Sequence, residues 1–189
     1  LLKHQRVITS NESASLIDIG DGVACLEFHT KMNALDEGIV EVATAAIEEI
    51  DKNFVGLVVG NQGEHFSAGA NVVMISILAE QGEWAKIGEV TQALQSFTMA
   101  LRYSPKPVVT TPHGYTLGGG CEVAMAGQRI VAAAESYVGL VEMGMGLLPA
   151  GGGCKELLRR VVSPAMQTPG TDPLPFMQRL FELIGTAKV

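Results

Sequence analysis

Short apolar runs alternate with amphipathic segments along most of the chain, and this pattern predicts an α/β fold. The first two runs, residues 15–19 and 23–28, have the character of strands. The glycine-rich residues 20–22 between them predict a β-hairpin. Asp36 then precedes apolar residues at helical spacing, so we expect it to cap a helix that extends to about residue 51.

The middle of the chain predicts a buried strand followed by two helices. Residues 54–60 form a nearly continuous apolar run, which is typical of a strand buried on both faces. A loop rich in small residues (61–71) follows, then a helix through Met74 and Leu78, and then a longer helix over about residues 83–103. The apolar residues of the longer helix predict one buried stripe: Ile87, Val90, Leu94, Phe97 and Leu101.

The second half of the chain repeats the alternation. We expect strands at residues 106–111, 129–133 and 137–140, and helices at residues 122–126, 154–161 and 175–184. The last helix has an apolar side made of Phe176, Leu180, Phe181 and Ile184. Four prolines in residues 163–175 indicate a linker. We therefore predict a core domain at residues 1–162, followed at residues 163–189 by a proline-rich linker and the start of a C-terminal helical region.

Composition and charge exclude several classes of protein. The chain has 189 residues, of which 47% are hydrophobic and 17% are charged, which suits one domain with a sizeable core. Its formal net charge of -7 argues against binding to nucleic acid or to an anionic membrane. No apolar run is long enough to span a bilayer, and no secretory signal is visible. Because the first residue is Leu1 rather than Met, we expect a chain that was trimmed at its start or cut from a longer polypeptide.

The cysteines and histidines predict neither disulfides nor a metal site. Cys25, Cys121 and Cys154 are odd in number and widely spaced, so we expect reduced thiols and a cytoplasmic protein. The four histidines are scattered, and no pair of histidines or cysteines has the spacing of metal ligands.

Residues 112–122 carry the clearest chemical signal. A short buried strand leads into the glycine turn (residues 118–120), and an apolar helix follows, so free backbone N–H groups should lie at a helix N-terminus. Such a terminus binds a negatively charged oxygen, and Glu122 adds a carboxylate in the first helical turn. The alternative is a tight turn whose glycines only allow the helix to pack closely on its strand.

Four segments together resemble the enoyl-CoA hydratase/isomerase (crotonase) superfamily, in that family's order and spacing. They are Lys31-Met32-Asn33-Ala34-Leu35, Phe66-Ser67-Ala68-Gly69-Ala70-Asn71, residues 114–122 and residues 142–153. Residues 99–107 and 139–142 are more similar still to one branch, the crotonase module joined behind a 3-hydroxyacyl-CoA dehydrogenase in long bacterial fatty-acid-oxidation proteins. The resemblance implies the ClpP/crotonase-like fold, a spiral of β-β-α units, with a C-terminal helical region that is truncated here.

The resemblance also implies an oxyanion hole. In this family two backbone N–H groups surround the thioester oxygen of the substrate, and the matching positions here are Ala68 and Gly119. Preorganised donors of this kind stabilise negative charge that develops on the oxygen during the reaction. The loop that begins at Ala68 is expected to run along the pantetheine arm of coenzyme A. The residues implied in substrate binding are Ala68, Gly69, Ala70, Asn71 and Gly119.

Hydratases of this family use two glutamates around one water, and the matching positions are Glu122 and Glu142. Two carboxyls in one pocket separate in pKa, because both cannot ionise cheaply. We expect Glu122, at a helix N-terminus, to be the ionised base and Glu142 to be the protonated acid. Family members that only move a double bond commonly lack one of the pair, so the presence of both favours a hydratase.

The resemblance therefore predicts an enoyl-CoA hydratase of fatty-acid β-oxidation, which converts 2-enoyl-CoA to 3-hydroxyacyl-CoA. It implies no cofactor beyond the coenzyme A of the substrate. A homo-oligomer, either a trimer or a dimer of trimers, and fusion to a dehydrogenase are also implied. Two alternatives stay open: a double-bond isomerase or other acyl-CoA enzyme of the same fold, and an inactive CoA-thioester-binding module of a larger protein.

Overall fold

The strands of the fold lie in two sheets. The computed structural model describes residues 6–189, so Leu1 lies outside the described residues. The strands are β1 (Arg6–Ser10), β2 (Ala14–Gly20), β3 (Val23–Phe28), β4 (Gly56–Val59), β5 (Val108–Thr110), β6 (Gly114–Leu117), β7 (Arg129–Ile130) and β8 (Ser136–Gly139). A six-stranded sheet has the order β1-β2-β3-β4-β5-β7, with antiparallel pairing up to β3 and parallel pairing from β3 onwards. Strands β6 and β8 form a separate parallel pair.

Seven α-helices accompany the sheets. They are α1 (Glu37–Asn53), α2 (Val72–Glu80), α3 (Trp84–Arg102), α4 (Gly119–Ala126), α5 (Gly153–Leu157), α6 (Ser163–Ala165) and α7 (Leu174–Gly185) within residues 6–189. A π-helical stretch, Leu158–Val162, joins α5 to α6. Helical backbone therefore continues beyond the predicted end at residue 161 and across the predicted boundary at residue 162. The domain division itself stays a prediction.

The chain builds successive β-β-α units. In two consecutive units, β5-β6-α4 and β7-β8-α5, the first strand joins the large sheet and the second joins the small one. After β4, Ser67 forms a single parallel bridge to Thr116 in β6, so a third unit begins in the same way. This arrangement confirms the predicted α/β spiral. The sequence predicts no strand at residues 112–117, but Gly114–Leu117 is strand β6, which pairs with β8 from a later unit.

The core lies between the large sheet and α1. Five of the apolar residues at helical spacing in α1 are buried: Ile39, Val42, Ala43, Ala46 and Ile50. The buried stripe predicted for α3 is correct only toward its C-terminal end, where Phe97 and Leu101 are buried; Val90 is 39% exposed. Helix α2, which packs against α3, has no buried residue. On α7, Leu180 is buried but Phe181 is 78% exposed, contrary to its predicted apolar side.

No helix within the described residues is long and apolar enough to pass through a bilayer.

The cap of α1 gives a test of the fold. The Asp36 carboxylate accepts a hydrogen bond from the Ile39 N–H (2.9 Å) and another from the Ser13 hydroxyl (2.7 Å). We expect Asp36→Ala to lower the free energy of unfolding by about 1 kcal/mol, measured by urea denaturation, because both bonds are lost. Asp36→Asn keeps an acceptor for Ile39 and should lose much less. Equal stability of Asp36→Ala and the parent would contradict the capping role.

Candidate active site

The glycine turn brings backbone N–H groups to a buried helix terminus. Strand β6 ends at Leu117, Gly118 adopts a positive φ of 52°, and α4 begins at Gly119. A Cβ on Gly119 would lie 3.0 Å from the Leu35 Cδ1 and 3.4 Å from the Ala70 nitrogen. Glycine at this position therefore keeps the space between the Gly119 backbone, Leu35 and Ala70 free of a side chain.

The small-residue loop after β4 lies against this turn. The Ser67 hydroxyl donates to the Asn33 carbonyl (2.7 Å) and accepts from the Gly69 N–H (3.1 Å). Gly69 has a positive φ of 89°, and a Cβ there would lie 3.1 Å from the Gly119 nitrogen. The buried hydroxyl therefore holds the loop in a conformation that sets Ala70 beside Gly119.

This geometry corrects one of the predicted oxyanion donors. The Ala68 N–H donates to the Met32 carbonyl at 3.0 Å, so it is already occupied. Among the hydrogen bonds formed by residues 6–189, neither the Ala70 N–H nor the Gly119 N–H donates to a protein acceptor. The two available amides are thus those of Ala70 and Gly119. The sequence motif supplies both alanines, but only the contact with Met32 distinguishes them.

Glu122 is buried and held by the second glycine run (residues 151–153). The carboxyl is in a residue only 3% exposed, and its Oε1 accepts from the Gly153 N–H at 2.7 Å. Burial raises the pKa of Glu122 to about 7; donation from the Gly153 N–H opposes this rise, and the nearby Glu142 charge adds to it. A carboxyl with this pKa changes its charge in the range where general bases act.

The second glycine run has a role that its sequence does not reveal. A Cβ on Gly151 would meet the Glu122 carboxylate and lie 2.7 Å from the Leu94 Cδ2. A Cβ on Gly153 would lie 2.9 Å from Leu140 and 3.0 Å from the Glu122 Oε1. The run predicts only the start of a helix, whereas in the structure its backbone surrounds a carboxylate. The sequence indicates this role only indirectly, through an acid expected to be buried and a glycine run that lies far from it along the chain.

Glu142 differs from Glu122 in having no partner. Both of its carboxyl oxygens are buried, and neither hydrogen-bonds to any described residue. Burial raises the pKa of Glu142. The Gly118 backbone passes close by, since a Cβ there would lie 3.2 Å from the Glu142 Oε1. An unpartnered buried carboxyl suits a group that binds water or a substrate atom.

Most of the predicted site residues line one cavity of about 110 Å³. Its lining includes Ala68, Ala70, Gly119, Glu122 and Glu142, together with apolar side chains such as Ile75 and Leu94. Gly69 and Asn71 are outside this lining. The Asn71 side chain instead caps α2 by accepting from the Met74 N–H at 3.2 Å. Its predicted role in substrate binding therefore stays a prediction.

No group of three or more histidine, cysteine, aspartate or glutamate side chains in residues 6–189 is arranged to hold a metal ion. The three cysteines carry free thiols, and burial raises the pKa of Cys121 to about 12.

Comparison with known proteins shows which family the chain resembles. A family model described as enoyl-CoA hydratase/isomerase matches residues 18–168. The chain is 46% identical over 187 residues to a probable 3-hydroxyacyl-CoA dehydrogenase of Bacillus subtilis (strain 168), covering 97% of this chain and 23% of that protein. It is 31% identical over 160 residues to a putative fatty acid oxidation complex trifunctional enzyme of Rickettsia felis, covering 85% of this chain and 22% of that protein. The chain thus spans less than a quarter of either relative.

Solved structures agree on the fold. An enoyl-CoA hydratase from Polaromonas sp. JS666 superposes with a TM-score of 0.78 at 21% identity, covering 93% of this chain and 63% of that one. An enoyl-CoA hydratase from Bacillus anthracis gives a TM-score of 0.75 at 21% identity, covering 94% of this chain and 63% of that one. These likenesses confirm the predicted crotonase fold.

Proposed function

The chain belongs to the enoyl-CoA hydratase/isomerase family, and we propose that it hydrates 2-enoyl-CoA to 3-hydroxyacyl-CoA in fatty-acid β-oxidation. The observation that carries this proposal is the pair of buried glutamates, Glu122 and Glu142, on one cavity with the Ala70 and Gly119 backbone. Adding water across a conjugated double bond requires a base, an acid and stabilisation of the enolate oxygen. The cavity offers a group for each task.

The backbone amides serve the thioester oxygen. In our proposal the Ala70 and Gly119 N–H groups donate to it, and Ala70 replaces Ala68 as the first donor. Negative charge moves onto this oxygen when water adds to the β-carbon, so donors fixed in advance lower the barrier. The Ser67 hydroxyl and the positive φ of Gly69 support this arrangement, because they fix Ala70 before substrate binds.

The two glutamates divide the proton transfers. Glu122, which accepts from the Gly153 N–H, removes a proton from water as the water oxygen bonds to the β-carbon. The enolate then takes a proton at its α-carbon from Glu142 as the carbonyl re-forms. Glu142 suits the acid role because its burial without a partner favours the neutral form. Proton transfer between the two carboxyls through water restores the starting state.

The pH dependence tests the base. Glu122 must be ionised to accept a proton, so kcat/KM is expected to fall as the pH decreases through about 7. The measurement is a pH profile of kcat/KM with crotonyl-CoA, with folding followed by circular dichroism at each pH. A profile that is flat across pH 7 would remove Glu122 from the base role.

Product identity separates hydration from the alternatives. The enzyme is incubated with crotonyl-CoA and, separately, with a 3-enoyl-CoA, and the products are analysed by mass spectrometry. We expect crotonyl-CoA to gain one water. Conversion of 3-enoyl-CoA to 2-enoyl-CoA without water uptake would identify an isomerase instead. Binding of the CoA ester without any product would indicate a binding module.

Two further features of the proposal concern its context. The relatives named as a dehydrogenase and a trifunctional enzyme are much longer than this chain, which supports a role as one module of a fatty-acid-oxidation protein. We also propose a cytoplasmic homo-oligomer, a trimer or a dimer of trimers, that needs no cofactor beyond the coenzyme A of its substrate. Light scattering of the purified protein measures the oligomeric state directly.

A further inference from the structure

One polar face of α3 contacts residues 150–156, the segment whose Gly153 N–H donates to Glu122. Gln95, Thr98 and Arg102 follow one another at intervals of three and four residues, so they share a helix face. The Gln95 amide donates to the Ala150 carbonyl (2.7 Å), and the Thr98 hydroxyl lies 2.6 Å from the Gly151 carbonyl oxygen. Arg102 forms an ion pair with Glu156. Three successive contacts therefore fix residues 150–156 from one side.

Glu156 is the buried centre of an arginine cluster. It is 4% exposed, and its carboxylate also binds Arg159 (3.1 Å) and Arg160 (3.6 Å). Arg102 and Arg160 in turn donate to the Met125 carbonyl, at 3.1 and 2.8 Å, near the end of α4. One charged cluster thus joins α3 and α5 to the helix that carries Gly119 and Glu122. Removing Glu156 would leave the largely buried Arg102 without its carboxylate partner, which is costly.

Two of these contacts, which we call the anchors, lie on either side of Gly153 along the chain: Thr98 with Gly151, and Arg102 with Glu156. Gly151 is held by Thr98, Glu156 is held by Arg102, and Gly153 lies between them with its N–H 2.7 Å from the Glu122 Oε1. We propose that Gln95, Thr98, Arg102 and Glu156 are positioning residues that keep the second glycine run in hydrogen-bonding contact with Glu122. This inference rests on the proposed role of Glu122 as base. It extends that role to residues that do not touch the substrate.

The consequence is a change in the proton affinity of Glu122 when the anchors are loosened. N–H donors stabilise the ionised carboxylate, so a longer distance to Gly153 raises its pKa further. Among the other titratable groups here, Glu142, after β8, acts on Glu122. Both glutamates in turn act on the thiols of Cys121 on α4 and Cys154 on α5. A change at the uncharged Thr98 alters none of their charges.

Thr98→Val is the main test, because it removes the hydroxyl and keeps the shape of the side chain. Thr98→Ser keeps the hydroxyl and should restore the parent behaviour. Thr44→Val on α1 is the matched control, since Thr44 is exposed and bonds only within its own helix, to the Val40 carbonyl. Gln95→Ala provides a second variant at an exposed position that should not endanger folding.

The readout is the titration of Glu122 itself, followed by carbon NMR of labelled glutamate carboxyls and assigned by loss of its signal in Glu122→Gln. We expect Thr98→Val to raise the pKa of Glu122 by about half a unit and Gln95→Ala to raise it less, while Thr44→Val leaves it unchanged. The decrease of kcat/KM at low pH should shift to higher pH by the same amount. Below pH 7, kcat/KM should therefore be about threefold lower than in the parent.

This experiment separates the inference from the proposed reaction. The NMR titration needs no turnover, so it can support the positioning role even if the protein does not hydrate crotonyl-CoA. A lower melting temperature of Thr98→Val with an unmoved Glu122 titration would show a merely structural role. That result, or an equal shift in Thr98→Ser, would overturn the inference.

Discussion

Glu142→Gln is expected to lower kcat for hydration of crotonyl-CoA by about 10³-fold. The amide has nearly the shape of the carboxyl but cannot donate an acidic proton to the α-carbon. Because neither oxygen of Glu142 bonds to a described residue, the substitution breaks no protein hydrogen bond and should leave stability almost unchanged. The CoA ester should bind within a few-fold of the parent affinity, measured by calorimetry alongside kcat.

The matched control for this variant is Glu182→Gln. Glu182 is an exposed glutamate on α7, paired at 3.5 Å with Arg179, and it lies outside the cavity. The Glu182→Gln variant should retain parental turnover. Turnover of Glu142→Gln within a few-fold of the parent would remove Glu142 from the mechanism. Loss of both turnover and CoA-ester binding would instead point to a role in shaping the cavity.

Gly119→Val is expected to lower kcat/KM by about 10²-fold or more, through loss of the oxyanion hole. The new side chain would begin 3.0 Å from Leu35 and 3.4 Å from the Ala70 nitrogen, in the space between the two donors. The thioester oxygen could then no longer reach either N–H. Steady-state kinetics and CoA-ester binding should therefore fail together.

The control for this substitution is Gly88→Val on α3, where a Cβ meets no atom within 4 Å. That variant adds the same branched side chain at an open position of a helix and leaves the cavity intact. It should keep parental kinetics. If Gly119→Val were folded and bound the CoA ester as well as the parent, the oxyanion hole would lie elsewhere.

Local sequence signals predicted the elements whose contacts are local. Asp36 followed by apolar residues at helical spacing gives α1 because the cap and the buried face are both encoded within it. Strand β6 could not be predicted, because it is short, begins with a glycine and depends on β8 for its pairing. The exposure of Val90 and Phe181 was equally hidden, since periodicity identifies an apolar face but not what covers it.

The residues of the candidate site also fall into two groups, those that local sequence signals predict and those that depend on distant contacts. Gly119, Glu122 and Glu142 follow from glycine turns and acids at the family's spacing, and the structure brings all three to one cavity. The choice between Ala68 and Ala70 depends on the Met32 carbonyl, which comes from a separate segment. Contacts of this kind are set by the packing of distant segments, so a motif alone cannot supply them.

The most direct measurement is the loss of enoyl-thioester absorbance when crotonyl-CoA is mixed with the protein, with Glu122→Gln and Glu142→Gln assayed beside it. We predict that the parent removes the absorbance and forms 3-hydroxybutyryl-CoA, and that each variant is slower by orders of magnitude. A folded parent that binds the CoA ester and leaves the absorbance unchanged would contradict the proposed hydration. Variants as fast as the parent would contradict the roles of the two glutamates.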